Sequence, residues 1–290
     1  MSWMSRVVRS AMFCTAVMAV SSTASTAPPD GLADALIFHA GFDGTPDASR
    51  GADRRILTAE NSKRDKVQPG NHRADVSILP GKGRYGDALR FSDVSEQVLY
   101  FHGSNTGYRK QDWSGTVSFW LRVDPDKGLK PGYCDPIQLT EKAWNDSGMW
   151  VDFDKDLPRA FRLGVFPRLS QWNPENTPWE QFPVERRPMV PVRKPAFNAR
   201  LWTHVAFTFQ DINATDGRDA TASLYLHGIH QGTLKRPLQF DWDMDKAAIM
   251  LGLSYVGDFD DLAIFNRALS ANEVEALRTL PNGAGGLVTP

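Results

Sequence analysis

Two aspartates at alternate positions are the first candidates for chemistry in this sequence. Asp152 and Asp154 follow Trp150 in the stretch Trp-Val-Asp-Phe-Asp. Residues i and i+2 of a strand share a face and lie about 6.6 Å apart, and enzymes that hydrolyse glycosides with retention use carboxyl groups about 5–5.5 Å apart. The spacing permits an acid–base pair, although charged residues on an alternating strand more often form its solvated face.

Other catalytic motifs are absent from the sequence. The chain contains no His-Glu-x-x-His, Gly-x-Ser-x-Gly, Cys-x-x-Cys or phosphate loop. The aspartate-rich runs that begin at Asp152 and Asp241 lack the sixth-position Gly and the twelfth-position Glu of a helix-loop-helix calcium site. The corresponding enzyme classes and that calcium motif are therefore excluded.

Tryptophan, arginine and proline concentrate in residues 167–200, where seven prolines interrupt any hydrophobic period. We predict an ordered loop insertion there, lying over one edge of a concave sheet. Its tryptophans could stack on sugar rings, and its arginines could donate to hydroxyls or carboxylates, which favours an acidic or sulfated sugar. The alternative is that the rings pack onto the sheet. The candidate ligand-binding residues are Trp150, Trp172, Trp179, Arg186 and Arg187.

The segments around these residues alternate with the period of two that is typical of strands. The cleanest example is 115–123, where Val117, Phe119 and Leu121 share one face. Counting similar stretches gives about a dozen short strands separated by turn signals. One late helix is predicted after a capping box formed by Ser270 and Glu273. This profile predicts an all-β protein with two packed antiparallel sheets.

Four segments match a known pattern in order and spacing: Ala88-Leu-Arg-Phe91, Thr116 to Trp120, Trp202 to Ala206 and Phe259 to Ser270. In the last segment an Asp-Asp strand runs into Asn-Arg-Ala-Leu-Ser before a short acidic helix. The chain thereby resembles the laminin-G-like jelly rolls of the concanavalin A-like lectin/glucanase group over about residues 34–280. The resemblance implies a jelly-roll sandwich with one short C-terminal helix.

The resemblance also implies a metal. Relatives often hold a structural calcium ion between the first and last strands, and Asp43 and Asp261 occupy the matching positions. Calcium takes six to eight oxygens, so backbone carbonyls would have to complete its shell. The alternative is that Asp261 faces solvent or caps a turn. Glucanases of the group carry a Glu-x-Asp-x-x-Glu string, which this sequence lacks.

The N-terminus has the order of a secretory signal peptide. Arg6 and Arg9 precede an apolar stretch at 11–20, and Ser22-Thr23-Ala24 forms a small-residue cleavage site. Ten apolar residues are too few to cross about 30 Å of hydrocarbon. We predict export without membrane insertion of the mature chain. The predicted divisions are a signal peptide at 1–24, a linker at 25–33, the sandwich at 34–282 and a tail at 283–290.

Three functions stay open because jelly rolls support many activities. The first is a secreted, non-catalytic, lectin-like module that binds a glycan or polysaccharide. The second is a glycan-active hydrolase or lyase that uses Asp152 and Asp154, and the third is an adhesion domain that binds protein. A net charge of −1 gives no indication of nucleic acid as a partner. The sequence makes no prediction of oligomeric state.

Overall fold

The computed structural model describes residues 29–288, so the predicted signal peptide at 1–24 lies outside the described residues. Within 29–288 no helix is long and apolar enough to cross a membrane. The helices are α1 (Leu32–Ala35), α2 (Leu169–Trp172) and α3 (Ala271–Thr279). The strands are β1 (Leu36–Ala40), β2 (Leu57–Ala59), β3 (Gln68–Pro69), β4 (Val76–Leu79), β5 (Ala88–Phe91), β6 (Val98–His102), β7 (Trp113–Arg122), β8 (Cys134–Thr140), β9 (Gly148–Phe153), β10 (Phe161–Phe166), β11 (Met189–Val192), β12 (Thr203–Ile212), β13 (Ala220–Leu226), β14 (Ile229–Arg236), β15 (Ala248–Leu253) and β16 (Gly257–Phe265).

These strands form two antiparallel sheets of eight strands each, which confirms the predicted all-β sandwich. Sheet A has the order β14-β13-β12-β7-β16-β5-β4, with β1 also paired to β16. Sheet B has the order β11-β10-β9-β8-β15-β6-β2-β3. The four short 3₁₀ turns are Gly103–Thr106, Trp179–Gln181, Val184–Arg186 and Ala284–Leu287.

The core lies between the sheets and follows from the alternation in the sequence. Val117, Phe119 and Leu121 of β7 are completely buried, and Phe119 stacks on Phe259 of β16 with ring centroids 4.9 Å apart. Apolar side chains on one face of each strand exclude water from the space between the sheets, which is the main force holding the sandwich together.

Part of the outer face of sheet A is covered by the two ends of the described chain. Ser270 and Glu273 form the predicted capping box at the start of α3, and Leu277 of this helix is buried against the sheet. The 3₁₀ turn Ala284–Leu287 is also packed there, so the compact region extends past the predicted boundary at 282. The first helix, α1, likewise begins inside the predicted linker at 25–33.

The outer face of sheet B is covered only in part, by the insertion at 167–200. This segment, predicted as an ordered loop, also contains α2 and the strand β11, which pairs with β10 and extends the sheet. Phe197 packs on Phe153 and Phe161 with centroids 4.9 Å away from each. The C-terminal end of the insertion thus packs in the core, while its middle lies over the outer face of sheet B.

Candidate functional site

A pocket of about 230 Å³, here called the aromatic pocket, opens on the outer face of sheet B. Strand β9 supplies Trp150 and Asp152, because its other residues Met149, Val151 and Phe153 are buried in the core. The lining residues are Tyr133, Asp135, Gln138, Trp144, Trp150, Asp152, Arg162 and Trp179.

Three tryptophans shape the walls of the aromatic pocket. The ring of Trp144 stands edge-on to Trp179, with centroids 5.1 Å apart, and to Trp150 at 6.3 Å. Trp150 Nε1 donates to the Trp144 carbonyl at 3.0 Å. Trp150 lies flat across β10 because the residue opposite it is Gly164, where a Cβ atom would fall 2.4 Å from the indole. Trp144 is 37% exposed and offers an accessible ring.

A buried ion pair forms the floor of the pocket. Arg162 on β10 lies opposite Asp152 on β9, and its Nε donates to Asp152 Oδ1 at 2.8 Å while its second nitrogen pairs with Oδ2. Its remaining nitrogen lies 3.3 Å from Asp154 Oδ1. Burial raises the pKa of Asp152 to about 6 despite the opposing effect of Arg162. The solvated strand face expected here is therefore wrong for Asp152, which is 3% exposed and neutralises a guanidinium.

Two polar side chains in the pocket have no hydrogen-bond partner among residues 29–288. Asp135 is half-buried, and burial, followed by the charge of Asp152, raises its pKa well above the ordinary aspartate value. Gln138 is 5% exposed, and its amide makes no hydrogen bond to the described chain. Both side chains line the space between the tryptophans, so their polar atoms are free to bond a ligand there.

The predicted ligand-binding residues separate into different places. Trp150 and Trp179 meet in the aromatic pocket. Trp172 is 8% exposed, and its Nε1 donates to the Asn145 carbonyl at 2.8 Å. Arg187 lies 3.8 Å over the Trp179 ring and donates to the Trp179 and Phe182 carbonyls, so it holds that ring in place.

Arg186 lies at a second pocket of about 240 Å³, here called the cationic pocket. Its lining residues are Pro167, Gln171, Trp172, Arg186, Arg236 and Pro237. Sequence reasoning brought Arg186 and Trp179 into one groove, but the chain between them turns through two 3₁₀ segments and separates the two side chains.

Sequence reasoning missed Asp135, Gln138 and Arg162 as lining residues. The pairing of Arg162 with Asp152 could have been found from the two alternating stretches at 149–153 and 161–165, which form a hairpin with these residues opposite each other. Asp135 gave no such signal, because the register of β8 shifts between Cys134 and Ile137 and interrupts the alternation there.

The two predicted calcium ligands lie elsewhere, near the junction of β1 and β16. Asp261 is 5% exposed, and its carboxylate contacts His39 Nε2 at 2.8 Å and the backbone nitrogens of Ala284 and Gly285 at 3.0 and 3.4 Å. Asp43 accepts from the backbone nitrogen of Asp87 at 2.8 Å. Among residues 29–288 no cluster of three or more His, Cys, Asp and Glu side chains is placed to hold a metal. An ion would have to compete with the donors on Asp261, and the calcium site stays a prediction.

Comparison with known proteins identifies the family to which this architecture is similar. The family model of the laminin G type within the concanavalin A-like lectin/glucanase superfamily matches residues 105–275. A search of curated proteins finds no match.

Solved structures with this fold include three relatives of low identity. Domain 4 of AbnA, an extracellular GH43 arabinanase from Geobacillus stearothermophilus solved with arabinotriose, has a TM-score of 0.51 and 16% identity, covering 83% of this chain and 96% of that one. The binding domain of Paraclostridial Mosquitocidal Protein 1 has a TM-score of 0.52 and 14% identity, covering 85% and 52%.

A structure of botulinum neurotoxin type C, whose cell entry depends on interaction with two ganglioside molecules, has a TM-score of 0.53 and 12% identity, covering 90% of this chain and 53% of that one. The chain therefore spans about half the length of the two toxin chains it matches. At these identities the solved structures establish the fold alone.

Proposed function

Because this chain belongs to the concanavalin A-like lectin/glucanase superfamily, we propose that it is a non-catalytic carbohydrate-binding module whose aromatic pocket binds a glycan. The observation that carries the proposal is the set of three tryptophans around the Arg162–Asp152 floor, with Asp135 and Gln138 in the same lining. Sugar rings have apolar faces and polar rims, and indole faces combined with a few hydrogen-bonding groups complement both features.

The dimensions of the pocket support a ligand of limited size. Its volume of about 230 Å³ is below the ~300–1,000 Å³ of pockets that enclose drug-sized molecules. A terminal sugar or one unit of a chain would therefore stack against Trp144 and Trp179. The carboxyl of Asp135 and the amide of Gln138 would bond the hydroxyls at its rim.

The charge of the pocket supports an uncharged sugar over the acidic one favoured by the sequence. Its single arginine, Arg162, is paired with Asp152 and Asp154, so an anionic ligand would meet two carboxylates for one guanidinium. Arg187 points its donors at backbone carbonyls. No cation lining the aromatic pocket is left for a carboxylate or sulfate.

The relatives support this function by analogy. The arabinanase domain was solved with arabinotriose, and the type C neurotoxin interacts with two ganglioside molecules. Both are proteins of the same fold that contact sugars, and we extend that property to this chain.

Two finer parts of the proposal concern location and metal. The order of charges and apolar residues at 1–24 supports export to the periplasm, the cell surface or the exterior. A structural calcium ion at Asp43 and Asp261 is supported by the position of these acids near the meeting point of β1 and β16, and chelation tests it.

A second candidate function, glycoside hydrolysis, is favoured by the presence of Asp135 and Asp152 in one pocket lining. Burial raises the pKa of Asp135 well above its ordinary value, and two neighbouring carboxyl groups whose pKa values differ can serve as a general acid and its partner. Accumulation of product from an oligosaccharide, lost in Asp135→Asn, would establish this activity in place of simple binding.

The test of the binding function is a titration with a panel of neutral oligosaccharides, including arabinotriose, by calorimetry. We expect Trp179→Ala to weaken binding at least tenfold, a loss of about 1.4 kcal/mol, because it removes a stacking face. Trp202→Ala is the matched control, since Trp202 is a half-buried tryptophan that contacts Arg122 of sheet A. Equal affinities in the two variants, or no binding of any neutral sugar to the wild type, would refute the proposal.

A further inference from the structure

The cationic pocket lies where the edges of the two sheets meet. Arg186 ends a 3₁₀ turn just before β11, the edge strand of sheet B, and Arg236 is the last residue of β14, the edge strand of sheet A. The two strands approach so closely that a Cβ on Gly232 would fall 2.8 Å from Val190. Both arginines therefore project from strands or turns fixed to the core.

Hydrogen bonds fix the walls of this pocket. Arg236 Nη1 donates to the Arg186 carbonyl at 3.1 Å. Gln171 Nε2 donates to the Pro237 carbonyl at 3.4 Å, and its Oε1 accepts from the Gln239 nitrogen at 3.0 Å. Trp172, buried against Phe166 and Phe182, forms the base. The pocket is consequently a fixed structural feature rather than a gap between loose loops.

The two guanidinium groups lack counter-ions. In the described part of the chain neither Arg186 nor Arg236 has a carboxylate oxygen within 4.0 Å, whereas the buried Arg73 and Arg162 each pair with an aspartate. Glu175 borders a neighbouring pocket with Arg186 but forms no ion pair with it. Burial, and then the charge of Arg186, lower the pKa of Arg236. The fold thus holds two like charges together without neutralising them.

We propose that the cationic pocket is an oxyanion site that takes the sulfate or carboxylate of an acidic glycan. A guanidinium presents a planar fork of donors that matches such groups, and charge-assisted bonds of this kind are stronger than neutral ones. Only one nitrogen of Arg236 is engaged by the protein, and the Arg186 guanidinium lies 5.4 Å from the Phe182 ring centroid without a hydrogen bond to the described chain. Both side chains line the same pocket. An anion there removes the repulsion between the two cations.

This site is separate from the aromatic pocket and does not require it to bind sugar. The two pockets lie on opposite sides of an aromatic series in which Trp172 contacts Phe166 at 5.0 Å and Phe166 stacks on Trp150 at 5.4 Å. A chain carrying both neutral and acidic units would find a complementary surface at each end of that series.

The first test uses sulfate ion as the probe, titrated into the whole protein at constant ionic strength with chloride. Sulfate stabilises most proteins by exclusion from their surfaces, so the informative quantity is the difference between variants. We expect a saturable rise in Tm for the wild type and for Arg193→Gln, a control that alters an exposed arginine of the same insertion. Arg186→Gln and Arg236→Gln should weaken sulfate binding at least fivefold.

Arg186→Gln keeps the test valid if Arg236→Gln misfolds, because Arg186 is exposed. A sulfate response that is identical in the wild type and both variants overturns the proposal. A sulfated disaccharide, a hexuronate disaccharide and inorganic phosphate then distinguish the sources of the oxyanion. Trp179→Ala should leave all of these affinities unchanged, so failure of the neutral-sugar site and failure of this one give different results.

Discussion

The aromatic pocket and the cationic pocket are both bordered by the insertion at 167–200, but they differ in whether their arginines are paired with carboxylates. In the aromatic pocket Arg162 is enclosed by two aspartates. In the cationic pocket Arg186 and Arg236 stand together without a carboxylate among the described residues. One pocket therefore offers flat apolar surface with its cation neutralised, and the other offers free guanidinium donors.

The difference follows from where each arginine is located. Arg162 lies within a strand and is 5% exposed, so an unpaired charge there would be severely destabilising. Arg186 and Arg236 lie at sheet edges, where water reaches them and the repulsion between them is tolerable. Paired charges at a buried floor set the shape of a site, whereas unpaired charges at an edge leave donors for the proposed anion.

Removing the Trp172 ring, which lies between the two pockets, should have the largest effect on stability. Trp172 is 8% exposed and contacts Phe166 and Phe182, so Trp172→Ala is expected to lower the free energy of unfolding by about 3–5 kcal/mol. Trp179→Ala, which alters a half-buried ring, should lower it by less. Urea unfolding measures both. Equal losses would mean that both rings belong to the core and would remove the wall of the aromatic pocket.

Breaking the ion pair between Arg162 and Asp152 should have the next largest effect on stability. Comparing it with loss of an arginine from the cationic pocket shows whether paired and unpaired charges contribute differently. Asp152→Ala leaves Arg162 with only the partly exposed Asp154, and we expect a loss of about 3 kcal/mol in the free energy of unfolding. Arg186→Gln removes an exposed charge without a carboxylate partner in the described chain and should change it by about 0.5 kcal/mol or less. If Arg186→Gln proved as destabilising as Asp152→Ala, the Arg186 guanidinium would have to be stabilising the fold rather than standing free in the cationic pocket.

The fold could be predicted from the sequence because each strand repeats the same alternation of inward-facing and outward-facing side chains. In β16, Leu262 and Ile264 face the core while Ala263 and Phe265 face α3, as the alternation predicts. The capping box at Ser270 and Glu273 is equally local. Both features depend on neighbours within a few residues, which is the range over which a sequence pattern is informative.

The site was only partly predictable because it depends on contacts between distant segments. Trp172 and Trp179 are alike in sequence context, and only the packing of α2 onto Phe166 makes one of them core and the other a pocket wall. Strand β11 contains two valines and a proline and becomes a strand by pairing with β10. Asp135 enters the pocket through a register shift that leaves no periodic signal.

A smaller effect should appear in the pH dependence of binding. The raised pKa of Asp135 means that the folded protein holds this proton at a pH where the unfolded chain has lost it. The resulting stabilisation is fully present below the ordinary aspartate pKa and is lost as pH rises through the raised value. If the sugar binds the protonated form, its affinity should fall over the same upward range.

Asp135→Asn resembles the protonated acid and should flatten this dependence, with affinity at low pH within about tenfold of the wild type, or ~1.4 kcal/mol. Sulfate binding at the cationic pocket should be flat from pH 5 to 8, because arginine stays protonated throughout that range. Titrations at several pH values measure both sites. A pH-dependent cationic pocket, or a wild-type pH slope that persists in Asp135→Asn, would contradict the assignment.

Removal of divalent metal should have the smallest effect on either pocket. The predicted calcium ligands Asp43 and Asp261 line neither pocket, and Asp261 already accepts from His39 and from two backbone nitrogens. We therefore expect chelator to leave the affinities for neutral sugar and for sulfate unchanged.

Thermal unfolding, recorded in parallel, tests whether calcium binds at all, because a ligand at a hundredfold excess over its Kd stabilises the native state by about 2.7 kcal/mol. A Tm lowered by chelator in the wild type but not in Asp261→Ala would establish the ion. A loss of sugar affinity on chelation would show that the aromatic pocket depends on a metal and would overturn its description as a site built from tryptophans and a neutralised arginine.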